Sequence, residues 1–225
     1  MTKRKLLGLL VVLPFLSMAS PRADGAQAVV AAELPDFDHQ LEHFTELAME
    51  GKVAAAESFL SEPAFLRSVD REGHTVLFAA TVAGNLQILE RVLALSPNLD
   101  LCDVHGATAL FYSATGGIAV LGRLIQRGAD VNLQDQRGRS PLIAAVLMNR
   151  IDSAGLLLAA GADVNRQDRH GATALFYAAD AGFFELAKLL LKRGADPALA
   201  DDSGITPTQI AADKSFSKVA RLLRY

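Results

Sequence analysis

The chain has 225 residues, about half of them apolar, with 25 acidic against 22 basic side chains, no tryptophan and one cysteine. An apolar set dominated by alanine and leucine, with few aromatics, favours packed helices over a β-sandwich, and the length fits one core or a short stack of repeats. A lone Cys102 excludes an intramolecular disulfide and a thiolate zinc site, and the net acidity argues against nucleic-acid binding, which needs an excess of Lys and Arg.

In chain order, the first segment reads as an export signal over residues 1–19. Lys3, Arg4 and Lys5 precede an uncharged apolar run over 6–16, and Ser17 and Ala19 are small residues suited to cleavage after Ala19; Ala26-Gln27-Ala28 offers a second cleavage point. As a helix, residues 6–21 would reach only about 24 Å, short of a ~30 Å hydrocarbon core, so no stable membrane insertion is expected once the signal is removed. The expected location is periplasmic or secreted. Removal takes away three basic groups and no acid, which moves the formal charge from −3 to −6. Residues 20–38 are expected to be a flexible tether.

From there the pattern Asp-x-x-Gly recurs at Asp70/Gly73, Asp103/Gly106, Asp135/Gly138, Asp168/Gly171 and Asp201/Gly204, with glycines 33, 32, 33 and 33 residues apart. Asp at the first and Gly at the fourth position suit a β-turn. Two residues past each glycine stands a hydroxyl, Thr75, Thr108, Ser140, Thr173 or Thr206, placed to cap a helix N-terminus. Each first helix is expected to stop near Gly84, Gly117, Asn149 or Gly182, and each second helix shows apolar residues at helical spacing, as in Phe184, Ala187, Leu190 and Leu191. The units run 73–105, 106–137, 138–170 and 171–203. A degenerate cap over 40–72 precedes them, with helices carrying Phe44, Leu47 and Ala48, then Val53, Ala56, Phe59 and Leu60 around Gly51; a second cap spans 204–225. The unit 106–137 is a residue short and carries Gly116, Gly117 and Gly122, so it is expected to be the softest.

The constant period, the Gly-x-Thr helix starts, Leu77, Leu110, Leu142 and Leu175, and the Gly-Ala-Asp endings at 128, 161 and 194 resemble the ankyrin-repeat family. The family's histidine after the leucine is replaced by Phe78, Phe111, Ile143 and Phe176, and its proline survives at Pro141 and Pro207. The resemblance implies an all-α solenoid of stacked helix-turn-helix units with short β-turn fingers over residues 39–225. It also implies a non-catalytic module that binds a partner protein through finger tips and the exposed, concave side of the first helices.

No pattern of residues points to catalysis or to a cofactor. Gly116-Gly117-Ile118 lacks a P-loop lysine, Ser140 is explained as a cap, and His105 and His170, two repeats apart, are separated by ~20 Å, too far to share a metal. His39 and His43 share a helix face but lack a third ligand. Partner contacts are expected at Arg71, His74, His105, Arg137, Arg139, Arg169 and His170 on or beside the tips, and at Tyr112, Leu147, Met148 and Tyr177 on the first helices. A basic tip row in an acidic protein suggests a partner with an acidic surface, or simply solvated loops; the tyrosines serve either as groove anchors or as core. A monomer is expected. Inhibition or protection of an exported enzyme is the alternative role.

Overall fold

The computed structural model describes residues 36–224, which hold thirteen helices; the export signal expected over residues 1–19 and residues 20–35 of the expected tether lie outside them. The helices are α1 (Phe37–Met49), α2 (Val53–Leu60), α3 (Pro63–Arg67), α4 (Val76–Ala83), α5 (Leu86–Ala94), α6 (Ala109–Ala114) and α7 (Ile118–Gln126). They continue as α8 (Pro141–Leu147), α9 (Ile151–Ala159), α10 (Ala174–Asp180), α11 (Phe184–Lys192), α12 (Pro207–Asp213) and α13 (Ser217–Leu222). Consecutive units stack in two layers. The inner layer is α1, α4, α6, α8, α10 and α12, each packed on the next, and the outer layer is α2, α5, α7, α9, α11 and α13.

Local chemistry sets each inner helix in the way the hydroxyl spacing predicts. The side-chain oxygens of Thr75, Thr108, Ser140, Thr173 and Thr206 accept from the backbone N–H groups of Phe78, Phe111, Ile143, Phe176 and Gln209 at 3.1–3.3 Å. Leu77, Leu110, Leu142 and Leu175 then point into the interlayer core, where they meet Leu89, Leu121, Leu157 and Leu190 among the fully buried side chains. Helices of six to nine residues are too short to persist alone, so burial between neighbours supplies their stability.

Three features differ from the sequence reading. Helix α1 starts at Phe37, not after residue 38, because Phe37 is buried with Phe44, Phe59 and Phe65 in one aromatic cluster with ring centroids 5.3–6.3 Å apart. Residues 36–38, expected as part of the tether, therefore belong to the first helix and its N-terminus. The short α3, which carries Phe65, has no counterpart in other units and no 33-residue echo to reveal it. Finally, the stops at Gly84, Asn149 and Gly182 are left-handed as expected, but Gly117 is not: at φ −101° it is the N-cap of α7. The residue missing from unit 106–137 is the left-handed stop itself, which leaves α6 at six residues.

Gly122 lies in the middle of α7, and a Cβ there would meet only Leu156 Cδ2 at 3.8 Å. Gly122→Ala is expected to raise stability by about 1 kcal/mol, read as a higher urea midpoint; a lower midpoint would mean that the site is crowded.

Candidate functional site

The five Asp-x-x-Gly turns form a row of fingers joined edge to edge. Val104 N–H donates to Glu72 O, Gln136 N–H to His105 O, Arg169 N–H to Arg137 O and Asp202 N–H to His170 O, at 2.8–3.0 Å. Within each finger, one carboxylate oxygen of Asp70, Asp103, Asp135, Asp168 or Asp201 accepts from the backbone N–H groups two and four residues on, at 2.7–3.0 Å. This use of the first oxygen is the same in every unit and builds the turn.

The second oxygen is used differently from unit to unit. Asp70 Oδ2 lies 3.0 Å from His74 Nδ1, and Asp103 Oδ2 accepts from Tyr112 Oη at 2.7 Å while facing His74 Nε2 at 3.8 Å. Asp135 Oδ2 accepts from Arg139 Nε at 2.8 Å and Nη2 at 2.6 Å, and Asp168 Oδ2 from Tyr177 Oη at 2.6 Å. His74 stacks on the Phe78 ring at 3.8 Å, Phe78 meets Tyr112 edge-on, and the Arg139 guanidinium sits 5.6 Å over Phe111. The result is a half-buried polar ladder under the fingers, in which each charge has a partner.

That ladder corrects several expected partner contacts. His74 and Arg139 have side chains only 12% exposed and are bound to carboxylates. Tyr112 and Tyr177 have their hydroxyls tied to Asp103 and Asp168, which takes the core side of the alternative left open above. Burial and the neighbouring carboxylates push both phenols well above their ordinary range. Leu147 and Met148 are half-buried, with Leu147 against the main core. Arg71 is 92% exposed but pairs with Asp38 at 3.1 Å, and Arg137 is half-buried. His105, Arg169 and His170 are exposed, and their side chains make no hydrogen bond or ion pair among the described residues. Next to His105 on its tip stands Val104, an exposed apolar side chain.

Burial alone would lower the His74 pKa, but the carboxylates of Asp103 and Asp70 on either side outweigh it and raise it to about 9. Half-buried Asp70 and buried Asp103 would be raised by that burial, but their hydrogen bonds and His74 beside them hold both below the ordinary carboxylate value. A histidine raised from 6.5 contributes stability that is complete below about pH 6.5 and lost as pH climbs through 9. The urea midpoint of the protein is therefore expected to fall between pH 6.5 and 9.5 by the equivalent of roughly 2–4 kcal/mol, and that fall should vanish in His74→Gln. An equal fall in both proteins would remove His74 as its source.

Sequence reasoning missed a second set of finger ties. Gln134 Nε2 donates to the carbonyls of Gly138 and Gln167, and Gln167 Nε2 to those of Gly171 and Ala200, so each glutamine bridges its own finger to the next. The repeated Gln-Asp at 134–135 and 167–168 was the available signal. Cys102 is exposed and forms an isolated backbone bridge with Thr108. Among the described residues no three His, Cys, Asp or Glu side chains gather as a metal site, and no helix is long and apolar enough to cross a membrane.

A family model described as "Ankyrin repeats (3 copies)" matches residues 44–135 and 156–225, and one described as "Ankyrin repeat" matches 137–169. The chain belongs to the ankyrin-repeat family. No curated protein matches it in sequence. Ankyrin repeats typically mediate protein–protein interaction, and the all-helical stack of this ankyrin protein fits such a module. In this ankyrin protein the polar ladder lies beneath the fingers, and the tip residues differ from one finger to the next.

Proposed function

We propose that this ankyrin protein is an exported, non-catalytic module that holds a partner protein on its finger tips and the adjoining inner-helix side. The observation that carries this reading is a division of labour within each finger. The aspartates, Tyr112, Tyr177, His74 and Arg139 are consumed by the framework, whereas Val104, His105, Arg169 and His170 project from it without intramolecular side-chain partners. Val104 and His105 on one tip, and Arg169 and His170 two fingers along, suit a partner surface that is apolar opposite the first tip and acidic opposite the second. Export is supported by the basic start and apolar run of residues 1–19.

The test places a photo-crosslinking residue at Val104 or His170, identifies the protein trapped there, and measures its affinity with purified components. Val104→Glu combined with Arg169→Glu is expected to weaken binding at least about tenfold, with the urea midpoint unchanged. Unaltered affinity would remove the tips as the binding surface. The chain recovered outside the cytoplasm is expected to begin at Ser20, or at Val29 with the second cleavage point; an intact chain retained in the cytoplasm would overturn export.

A further inference from the structure

The outer helices that lead into a finger end in two ways. After α7, α9 and α11 the chain continues Gly-Ala-Asp at 128, 161 and 194, and each alanine is buried and donates its N–H back to Leu124 O, Leu157 O or Leu190 O at 3.0–3.1 Å. These endings are also tied to the loop before them, Asp130 N–H to Asp100 Oδ1, Asp163 N–H to Asn132 Oδ1 and Asp196 N–H to Asn165 Oδ1, at 2.8–3.0 Å. After α2 and α5 the ending carries proline instead, as Glu62-Pro63-Ala64 and Ser96-Pro97-Asn98. Proline has no N–H with which to close the loop. Among the described residues no hydrogen bond joins 61–67 to 96–100.

Both prolines line one cleft of about 360 Å³ between α3 and the C-terminal end of α5. Its apolar part is completed by buried Val76 and Val92, by Leu66, and by Leu95, which is 47% exposed. Ser96 stands where the other units have Gly128, Gly161 and Gly194, and its φ of 52° is a left-handed conformation that disfavours an L side chain. Two departures from the repeat, the unmatched α3 and the strained Ser-Pro-Asn ending, therefore meet at one cavity, and strain kept at a cavity points to a binding role. The polar residues of the lining are Arg67, Ser96 and Asn98. The Arg67 guanidinium and the Ser96 hydroxyl have no partner among the described residues, and Asn98 spends only its Oδ1, on Asp100 N–H, so its amide N–H groups are free to donate.

We propose that this cleft binds a short aliphatic monocarboxylic acid, with its tail against Leu66, Val76, Val92 and Leu95 and its carboxylate on Arg67. An apolar hollow with a few convergent donors is the ordinary form of a small-molecule site. Arg67 is the one charged residue of the lining, so it balances a single negative charge, and its planar fork matches a carboxylate. A phosphate would call for a second cation, which the lining lacks. At ~30 Å³ for each water displaced, the cleft has room for about ten heavy atoms, the size of octanoate. No finger tip lines it, so the inference is independent of the proposed partner surface.

Titration calorimetry of octanoate and of octan-1-ol into the protein tests this. Octanoate is expected to bind one-to-one with a Kd below about 1 mM, and octan-1-ol at least about tenfold more weakly. Arg67→Gln should weaken octanoate binding at least about tenfold while leaving octan-1-ol binding and the urea midpoint unchanged, because Arg67 is exposed and unpaired. The triple change Ser96→Gly, Pro97→Ala and Asn98→Asp restores the ending of the other units. It should raise the urea midpoint and abolish octanoate binding, a combination expected only if the strained ending is kept for the ligand. Four results would overturn the proposal: no saturable binding of octanoate, equal affinity for octanoate and octan-1-ol, full octanoate affinity in either variant, or an acetylated tripeptide acid ending in leucine binding at least about tenfold more tightly than octanoate, which would give the cleft to a protein terminus.

Discussion

Asp103→Ala is expected to lower the stability of the protein by about 3–5 kcal/mol. Asp103 has a side chain 1% exposed, accepts from His105 N–H and Ala107 N–H with one oxygen, and serves Tyr112 and His74 with the other. Its removal leaves two backbone donors and a phenol without their acceptor in a half-buried site and takes away one of the two carboxylates that face His74, and each such loss carries a penalty. The comparison that isolates the second oxygen is Asp201→Ala. Asp201 makes the same two turn bonds, to Ser203 and Ile205 N–H, but its other oxygen has no side-chain donor among the described residues. About 1 kcal/mol is expected there. Equal losses in urea unfolding would show that the turn bonds alone matter and that the ladder of His74, Tyr112 and Asp103 adds nothing.

The second large effect is expected at Gly138, where alanine should cost about 3–4 kcal/mol. Its φ of 75° lies in the left-handed region, which by itself charges an L side chain about 1–2 kcal/mol. A Cβ there would also stand 2.7 Å from the Arg169 nitrogen and 3.0 Å from the Asp168 carbonyl carbon, both backbone atoms of the next finger that cannot swing aside. The finger would have to move off, breaking the 3.0 Å bond from Arg169 N–H to Arg137 O. Gly204 shares the left-handed conformation, at φ 77°, but has no following finger and nothing within 4 Å of a Cβ. Gly204→Ala should therefore cost only the conformational part. If the two substitutions destabilise equally, contact between fingers is not what requires glycine at position 138.

The pairing of these glycines shows where sequence reading stops. Both were found from the same Asp-x-x-Gly signature, because a β-turn depends on residues within four positions of one another and leaves its mark in order. The same holds for the hydroxyl caps, whose acceptor and donor lie three residues apart. The crowding at Gly138 depends on a finger 30 residues away, and no local pattern records it. Helix α3 escaped for a related reason. It occurs once, so a search by period had nothing to compare it with, and only the burial of Phe65 against Phe37 and Phe44 reveals why it forms.

Among the expected contact residues, the division followed reach. Arg169, His105 and His170 are on tips whose exposure follows from the turn itself. His74 and Arg139 are beside those turns and Tyr112 and Tyr177 on the helices that follow, but their side chains are long enough to reach a carboxylate, and each packs against a neighbouring ring, Phe78, Phe111 or Phe176. Charge counted along the sequence therefore overstated the basic character of the tips.

By itself the sequence determined the repeat, its period, its turns and caps, and hence the family, since each of these rests on interactions within a few residues copied five times. Only the tertiary structure decided which polar groups serve the framework and which remain for another molecule. That choice is made by burial: a carboxylate beneath a finger must find a donor, and the donor it takes from the neighbouring side chains is no longer available at the surface.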